Sequence, residues 1–90
     1  MYFIYVLRNP DNRLYVGFTE DLDRRVAQHQ AGEGGWTHSR GPWELVHFEC
    51  FEDRACAMRR ERSLKHGKAN QDLRRQIDSS MVERVLLRKD

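Results

Sequence analysis

Ninety residues with a formal net charge of +2, of which 39% are hydrophobic and 33% charged, make one small domain with a modest core. No apolar run approaches the length of a membrane span and no basic-then-apolar leader opens the chain, so a cytosolic, unprocessed protein is the expectation. Cys50 and Cys56 are too few for a disulfide framework and their spacing matches no metal-ligand pair, which leaves them as reduced structural thiols.

Met1 to Phe18 reads as a β-hairpin. Tyr2 to Leu7 and Leu14 to Phe18 are runs of aromatic, aliphatic and β-branched residues, and Asn9-Pro10-Asp11-Asn12 between them supplies turn chemistry. Thr19 can then cap a helix with Glu20, Asp21 and Asp23 in its first turn, running to about Gln30 and stopping at Gly32. Leu22, Val26 and His29 recur at helical spacing, and Arg25 and His29 form an i,i+4 pair beside that stripe.

Ala31 to Pro42 is a glycine-rich loop holding Trp36, Thr37, His38, Ser39 and Arg40, suited either to following a phosphate backbone or to serving as a plain connector. Trp43 to Phe51 reads as a third strand, with Val46, Phe48 and Cys50 on one face and Leu45, His47, Glu49 and Phe51 on the other. Asp53 can cap a second helix from Arg54 to about His66, ended by Gly67. On it Glu61 falls between the apolar positions Ala57 and Leu64. A carboxylate there is either paired with a neighbouring cation or held toward a cleft, and the helix alone favours the ion pair. Gln71 to Ile77 continues a third, basic helix, and Ser80 with Glu83 has the spacing of a capping box before a short last segment. The implied fold is α+β: a three-stranded antiparallel sheet packed with helices, with the uniformly apolar first strand central. Residues 1–90 form a single domain, of which 71–90 are a helical extension.

Between Arg54 and Arg75 eight cations stand against Glu61 and Asp72, a local excess that fits a polyanion or a solvated helix surface. Tyr5, Tyr15, Arg25, His29 and Glu61 are the kinds of group that phosphodiester hydrolysis needs, since a water must lose a proton, charge must be stabilised on the phosphate, and the leaving oxygen must be met by a cation or an acid.

Their order along the chain resembles the GIY-YIG nuclease family over residues 2 to about 70. Phe3-Ile4-Tyr5 stands at the first motif, with Phe3 where the family name has glycine, and Tyr15-Val16-Gly17 stands at the second. Asp23 to His29 is similar to the family's arginine–histidine helix, and Ala57 to Glu61 followed by Lys65 to the segment with its glutamate. The resemblance implies a metal-dependent DNA endonuclease, structure-selective and repair-related. Tyr5 would be the general base, His29 its helper, Arg25 the phosphate contact and Tyr15 a positioning hydroxyl, with Glu61 the ligand of Mg²⁺ or Mn²⁺ and no small-molecule cofactor. Arg24, Trp36, Thr37, Arg40, Arg60, Lys65 and Lys68 would hold the DNA. The alternative is a nucleic-acid-binding module of the same fold without turnover, and a weaker third reading is a protein-interaction domain with a basic surface. Substrate preference and oligomeric state stay open.

That mechanism constrains the hairpin. A symmetric loop from Asn9 to Asn12 would set Tyr5 opposite Val16 and send Tyr5 and Tyr15 to opposite faces. A three- or five-residue loop, or a bulge, is therefore predicted, with Tyr5, Tyr15, Arg25, His29 and Glu61 converging on one concave surface.

Overall fold

Strand β1 (Tyr2–Arg8) carries the run Ile4, Tyr5, Val6 and Leu7, all at most 1% exposed, and a strand buried on both faces belongs in the middle of a sheet. The computed structural model, which describes the backbone of residues 1–87 and the side chains of residues 1–79, places it there. The order is β2-β1-β3, with β2 (Leu14–Thr19) and β3 (Glu44–Phe51) both antiparallel to β1. The architecture is the α+β sandwich expected from the sequence.

The hairpin loop spans five residues, Asn9 to Arg13, because β1 ends at Arg8 paired with Leu14. Asn9 closes it three times over. Its carbonyl accepts from Asn12 N at 3.0 Å, its N–H donates to Arg13 O at 3.1 Å, and its side-chain oxygen accepts from Arg13 N at 2.9 Å. Asn12 takes the left-handed conformation (φ 62°) that asparagine tolerates. The resulting register pairs Tyr5 with Gly17 and Leu7 with Tyr15, so both tyrosines lie on one face.

Each face of the sheet has its own core. Ile4, Val6 and Val16 pack with Ala57 and Leu64 of helix α2 (Arg54–Lys65) and with Leu73 and Ile77 of helix α3 (Gly67–Leu87). Tyr5 and Leu7 pack on the other face with Trp43, Tyr15, and Leu22 and Val26 of helix α1 (Leu22–Gln30).

Three local expectations are corrected. The cap of α1 is Asp21, whose carboxylate accepts from Arg24 N; Thr19 holds the preceding turn through its hydroxyl, which bonds Asp21 N at 3.1 Å and Asp21 O at 3.2 Å. Strand β3 does not alternate throughout: its register on β1 slips between Val6 and Leu7, so Val46 joins the Ile4 core on the same face as its neighbour His47, while Leu45 joins the Tyr5 core. His47, Glu49 and Phe51 share the face of Val6, Ile4 and Tyr2, leaving Phe48 (53% exposed) on the other. Finally, α3 runs unbroken from Gly67 to Leu87, so the backbone of Ser80 lies inside a helix and not at the start of one. The turn from α2 rests on Gly67 at φ +66°. The side chains of the short last segment, and residues 88–90 altogether, lie outside what the structure describes.

Asn9 is buried, and its amide nitrogen also donates to Arg40 O at 3.1 Å, tying the hairpin to the glycine-rich loop. Asn9→Ala is expected to lower the free energy of unfolding by about 2 kcal/mol, since it removes two side-chain hydrogen bonds and leaves a partner unpaired. Urea denaturation checks this, and a loss below about 0.5 kcal/mol would show that the backbone bonds alone hold the loop.

Candidate active site

Tyr5 projects from the centre of β1 across β2, a path open only because its partner there is glycine. A Cβ on Gly17 would sit 2.3 Å from Tyr5 Cζ and 2.4 Å from its hydroxyl. Crossing Gly17 brings the Tyr5 hydroxyl to helix α1, where it meets His29 Nε2 at 2.8 Å and Arg25 Nε at 3.4 Å. Arg25 and His29 are one helical turn apart, so both flank the phenol from a single element. Arg25 is held further by donating to Gln28 Oε1 at 3.1 Å.

His29 is buried, and its other ring nitrogen, Nδ1, meets Thr37 Oγ1 at 2.6 Å. Tyr15 lies alongside, its ring centroid 5.0 Å from that of His29 and 6.2 Å from that of Tyr5. On its far side Tyr15 stacks on Trp36 at 6.0 Å with 14° between the planes. Arg40 covers the Trp36 ring at 4.6 Å and donates to the Trp36 carbonyl. The structure thus brings together Tyr5, Tyr15, Arg25 and His29.

Glu61 is paired along its own helix. Its carboxylate accepts from Lys65 Nζ at 2.9 Å one turn along α2, the ion pair that its sequence position favoured, and only 14% of its side chain is exposed. Lys65 links it to the site, lining with Tyr15, Trp36, Asn70 and Arg74 a hollow of about 320 Å³. Among the described residues no three histidines, cysteines or acids gather as a ready-made metal cage.

The residues expected to hold DNA divide. Arg24 is exposed and lines a wider hollow of about 610 Å³ together with Arg25, Gln28 and Arg54. Trp36, Arg40, Lys65 and Lys68 are exposed as well. Arg60 instead grips Glu49 through two bonds of 2.8 and 3.1 Å, and Glu49 also meets His47 Nε2 at 2.8 Å. The guanidinium, more than the imidazole, holds the Glu49 carboxyl below its ordinary pKa. Thr37 is 1% exposed, and its side chain serves His29. The loop composition around it carries no sign of that burial.

Burial pushes the Tyr5 phenol up to about 12, against the opposing pull of Arg25. Burial, and secondly the positive charge of Arg25, lowers the pKa of His29. At neutral pH the pair is therefore a phenol and a neutral imidazole. Each ring nitrogen of His29 thus has a hydroxyl partner, Tyr5 at Nε2 and Thr37 at Nδ1, and the tautomer of the ring decides which of the two bonds it donates.

A tyrosine pair on a hairpin, with an arginine and a histidine on the helix that follows, defines a class, and the chain belongs to it: the family described as the GIY-YIG catalytic domain matches residues 1–74. Within that family it is similar to UPF0213 proteins. One from Haloquadratum walsbyi is 46% identical over 65 residues, covering 71% of this chain and 73% of its own. Another, from Clostridium perfringens, is 38% identical over 84 residues, covering 92% and 90%. The solution NMR structure of a UPF0213 protein from Bacillus halodurans matches with a TM-score of 0.51 at 34% identity, over 81% of each chain.

The lowered pKa of His29 has a signed consequence for stability. Its imidazole titrates near ~6.5 when unfolded and lower when folded, so below that value the unfolded chain binds more protons. The stabilisation is fully present above ~6.5 and is lost as pH falls through the folded value. NMR titration of the ring is expected to place His29 below ~6.5, and a midpoint at or above that value would contradict the buried, Arg25-facing environment.

Proposed function

We propose that the chain is a metal-dependent endonuclease that hydrolyses DNA phosphodiester bonds. The observation that carries this reading is the Tyr5 hydroxyl held between a guanidinium and a neutral imidazole. A water attacking phosphorus must lose a proton while negative charge grows on the phosphate. Tyr5 takes the water's proton as its own passes to His29 Nε2, so that no free phenolate is needed. Arg25 compensates the phosphate charge, and in turning toward a phosphate it uncovers the phenol oxygen it now bonds. Tyr15 orients the phosphate or the water through its hydroxyl.

Glu61 fits Mg²⁺ or Mn²⁺ as a single carboxylate, because these hard cations commonly take one or two protein carboxylates and complete the shell with water and phosphate oxygen. Lys65 would release the carboxylate to the cation and move toward the strand. When bound, the cation supplies charge neutralisation at the phosphate and a more acidic water. Exposed Arg24, Trp36, Arg40 and Lys68 would hold the flanking backbone, giving affinity that falls as salt rises. The second reading, a binding module without turnover, is favoured by one observation: Tyr5 is 1% exposed.

Nicking of a supercoiled plasmid with and without Mg²⁺ separates the two readings, and binding without nicking would select the second. Glu61→Gln is expected to abolish cleavage while retaining most DNA affinity, since the phosphate-binding cations remain; cleavage that survives would reduce Glu61 to an ion-pair residue. Arg25→Ala is expected to slow cleavage by about 100- to 1000-fold, whereas Arg24→Ala, on the exposed side of α1, should cost a few-fold in apparent affinity. Equal losses in the two variants would assign the phosphate contact elsewhere.

A further inference from the structure

We infer that Thr37 is a positioning residue that sets the tautomer of His29, and with it the direction in which the Tyr5 proton can move. The role in catalysis rests on the nuclease reading; the tautomer does not. A neutral imidazole can accept at Nε2 only if its proton sits on Nδ1, and a buried Nδ1–H needs an acceptor. Thr37 Oγ1 is that acceptor at 2.6 Å, and both residues are closed to solvent, at 1% and 2% exposed. Water therefore does not substitute for the hydroxyl.

The threonine is itself held by two independent constraints. Its carbonyl accepts from Trp43 Nε1 at 2.9 Å, and Trp43 is locked in the core with Tyr5 and Leu7. Opposite, Gly34 leaves space that a side chain would fill: a Cβ there would lie 2.2 Å from Thr37 Oγ1 and 2.5 Å from His29 Nδ1. The loop thus seals the His29–Thr37 contact from one side with glycine and from the other with tryptophan. A plain connector between α1 and β3 has no need of a buried hydroxyl aimed at a buried imidazole.

The test uses the full chain and has two readouts. Long-range ¹H–¹⁵N correlation spectra of the histidine rings near pH 8 distinguish the Nδ1–H from the Nε2–H form. Wild type and Thr37→Ser are expected to show His29 as Nδ1–H. Thr37→Val keeps the shape but removes the acceptor, so His29 should turn to Nε2–H, which can still donate to the phenol oxygen of Tyr5. In plasmid nicking, Thr37→Val should lose at least about 100-fold in kcat with KM little changed, and Thr37→Ser should restore most of it. An Nε2–H ring in wild type, or an Nδ1–H ring persisting in Thr37→Val, overturns the inference, as does a loss confined to KM. Should Thr37→Val fail to fold, the spectra of wild type and Thr37→Ser decide, an Nε2–H ring in either being the overturning result. The spectra need no DNA, so a chain with the expected tautomers that cuts nothing would overturn the nuclease reading while leaving Thr37 as the residue that orients His29.

Discussion

A tyrosine in the middle of a sheet can lie flat across the neighbouring strand only where that strand presents no side chain. Gly17 provides the gap, and a Cβ at that position would overlap the Tyr5 ring at 2.3 Å. The other relations of the site follow from this crossing. The ring spans β2 to reach α1, so Arg25 and His29 can flank one hydroxyl; it also covers the apolar side of Trp43 and Leu7, so the same contact closes the smaller core. The five-residue loop at the end of the hairpin is the condition for it. A slip of one residue would set Tyr5 against Val16, whose side chain is buried in the opposite core.

The hairpin, the helix start at Asp53 and the central place of β1 were legible because each depends on local chemistry: turn residues, a short capping side chain and a continuous apolar run. The α1 cap was misplaced by two residues, since Thr19 and Asp21 are both good caps and both are used, one for the turn and one for the helix. What was not legible depends on partners distant in sequence. The β3 bulge answers to β1, the capture of Arg60 answers to Glu49 eleven residues away, and the burial of Thr37 answers to Trp43 and His29. Loop composition reads as exposure, and in this loop one residue in particular is turned inward to serve the helix before it.

The basic character of the chain is likewise less available to a ligand than its composition suggests. Arg60 is neutralised by Glu49, Lys65 by Glu61, and Arg74 spans Asn70 Oδ1 and Asn12 O, which ties α3 to the hairpin tip. The Arg60–Glu49 pair is partly buried, where geometry counts for more than net charge. Among the described residues Arg13, Arg24, Arg40, Arg54, Arg59, Arg62, Lys68 and Arg75 stay exposed, joined by whatever Lys65 can release. Attraction of a polyanion to such a set weakens as salt rises.

If Tyr5 serves as the proposed base, energetics choose between two ways of using it. Ionising a phenol whose pKa stands at about 12 costs about 7 kcal/mol at pH 7, a large share of a catalytic barrier reduction. Passing its proton to His29 in the same motion as it receives one from water avoids that cost, because the phenol is never left charged in the apolar cluster. The remaining obstacle is the low proton affinity of His29, which burial and then Arg25 depress. On the proposed reading the substrate itself eases the second cause. A phosphate engaged by Arg25 compensates the guanidinium charge, so the imidazole accepts a proton more readily once DNA is bound than before. On that reading Arg25 would act twice from one position: in the free protein it bonds the phenol and adds to the burial that keeps His29 neutral, and in the complex it would yield both restraints to the phosphate.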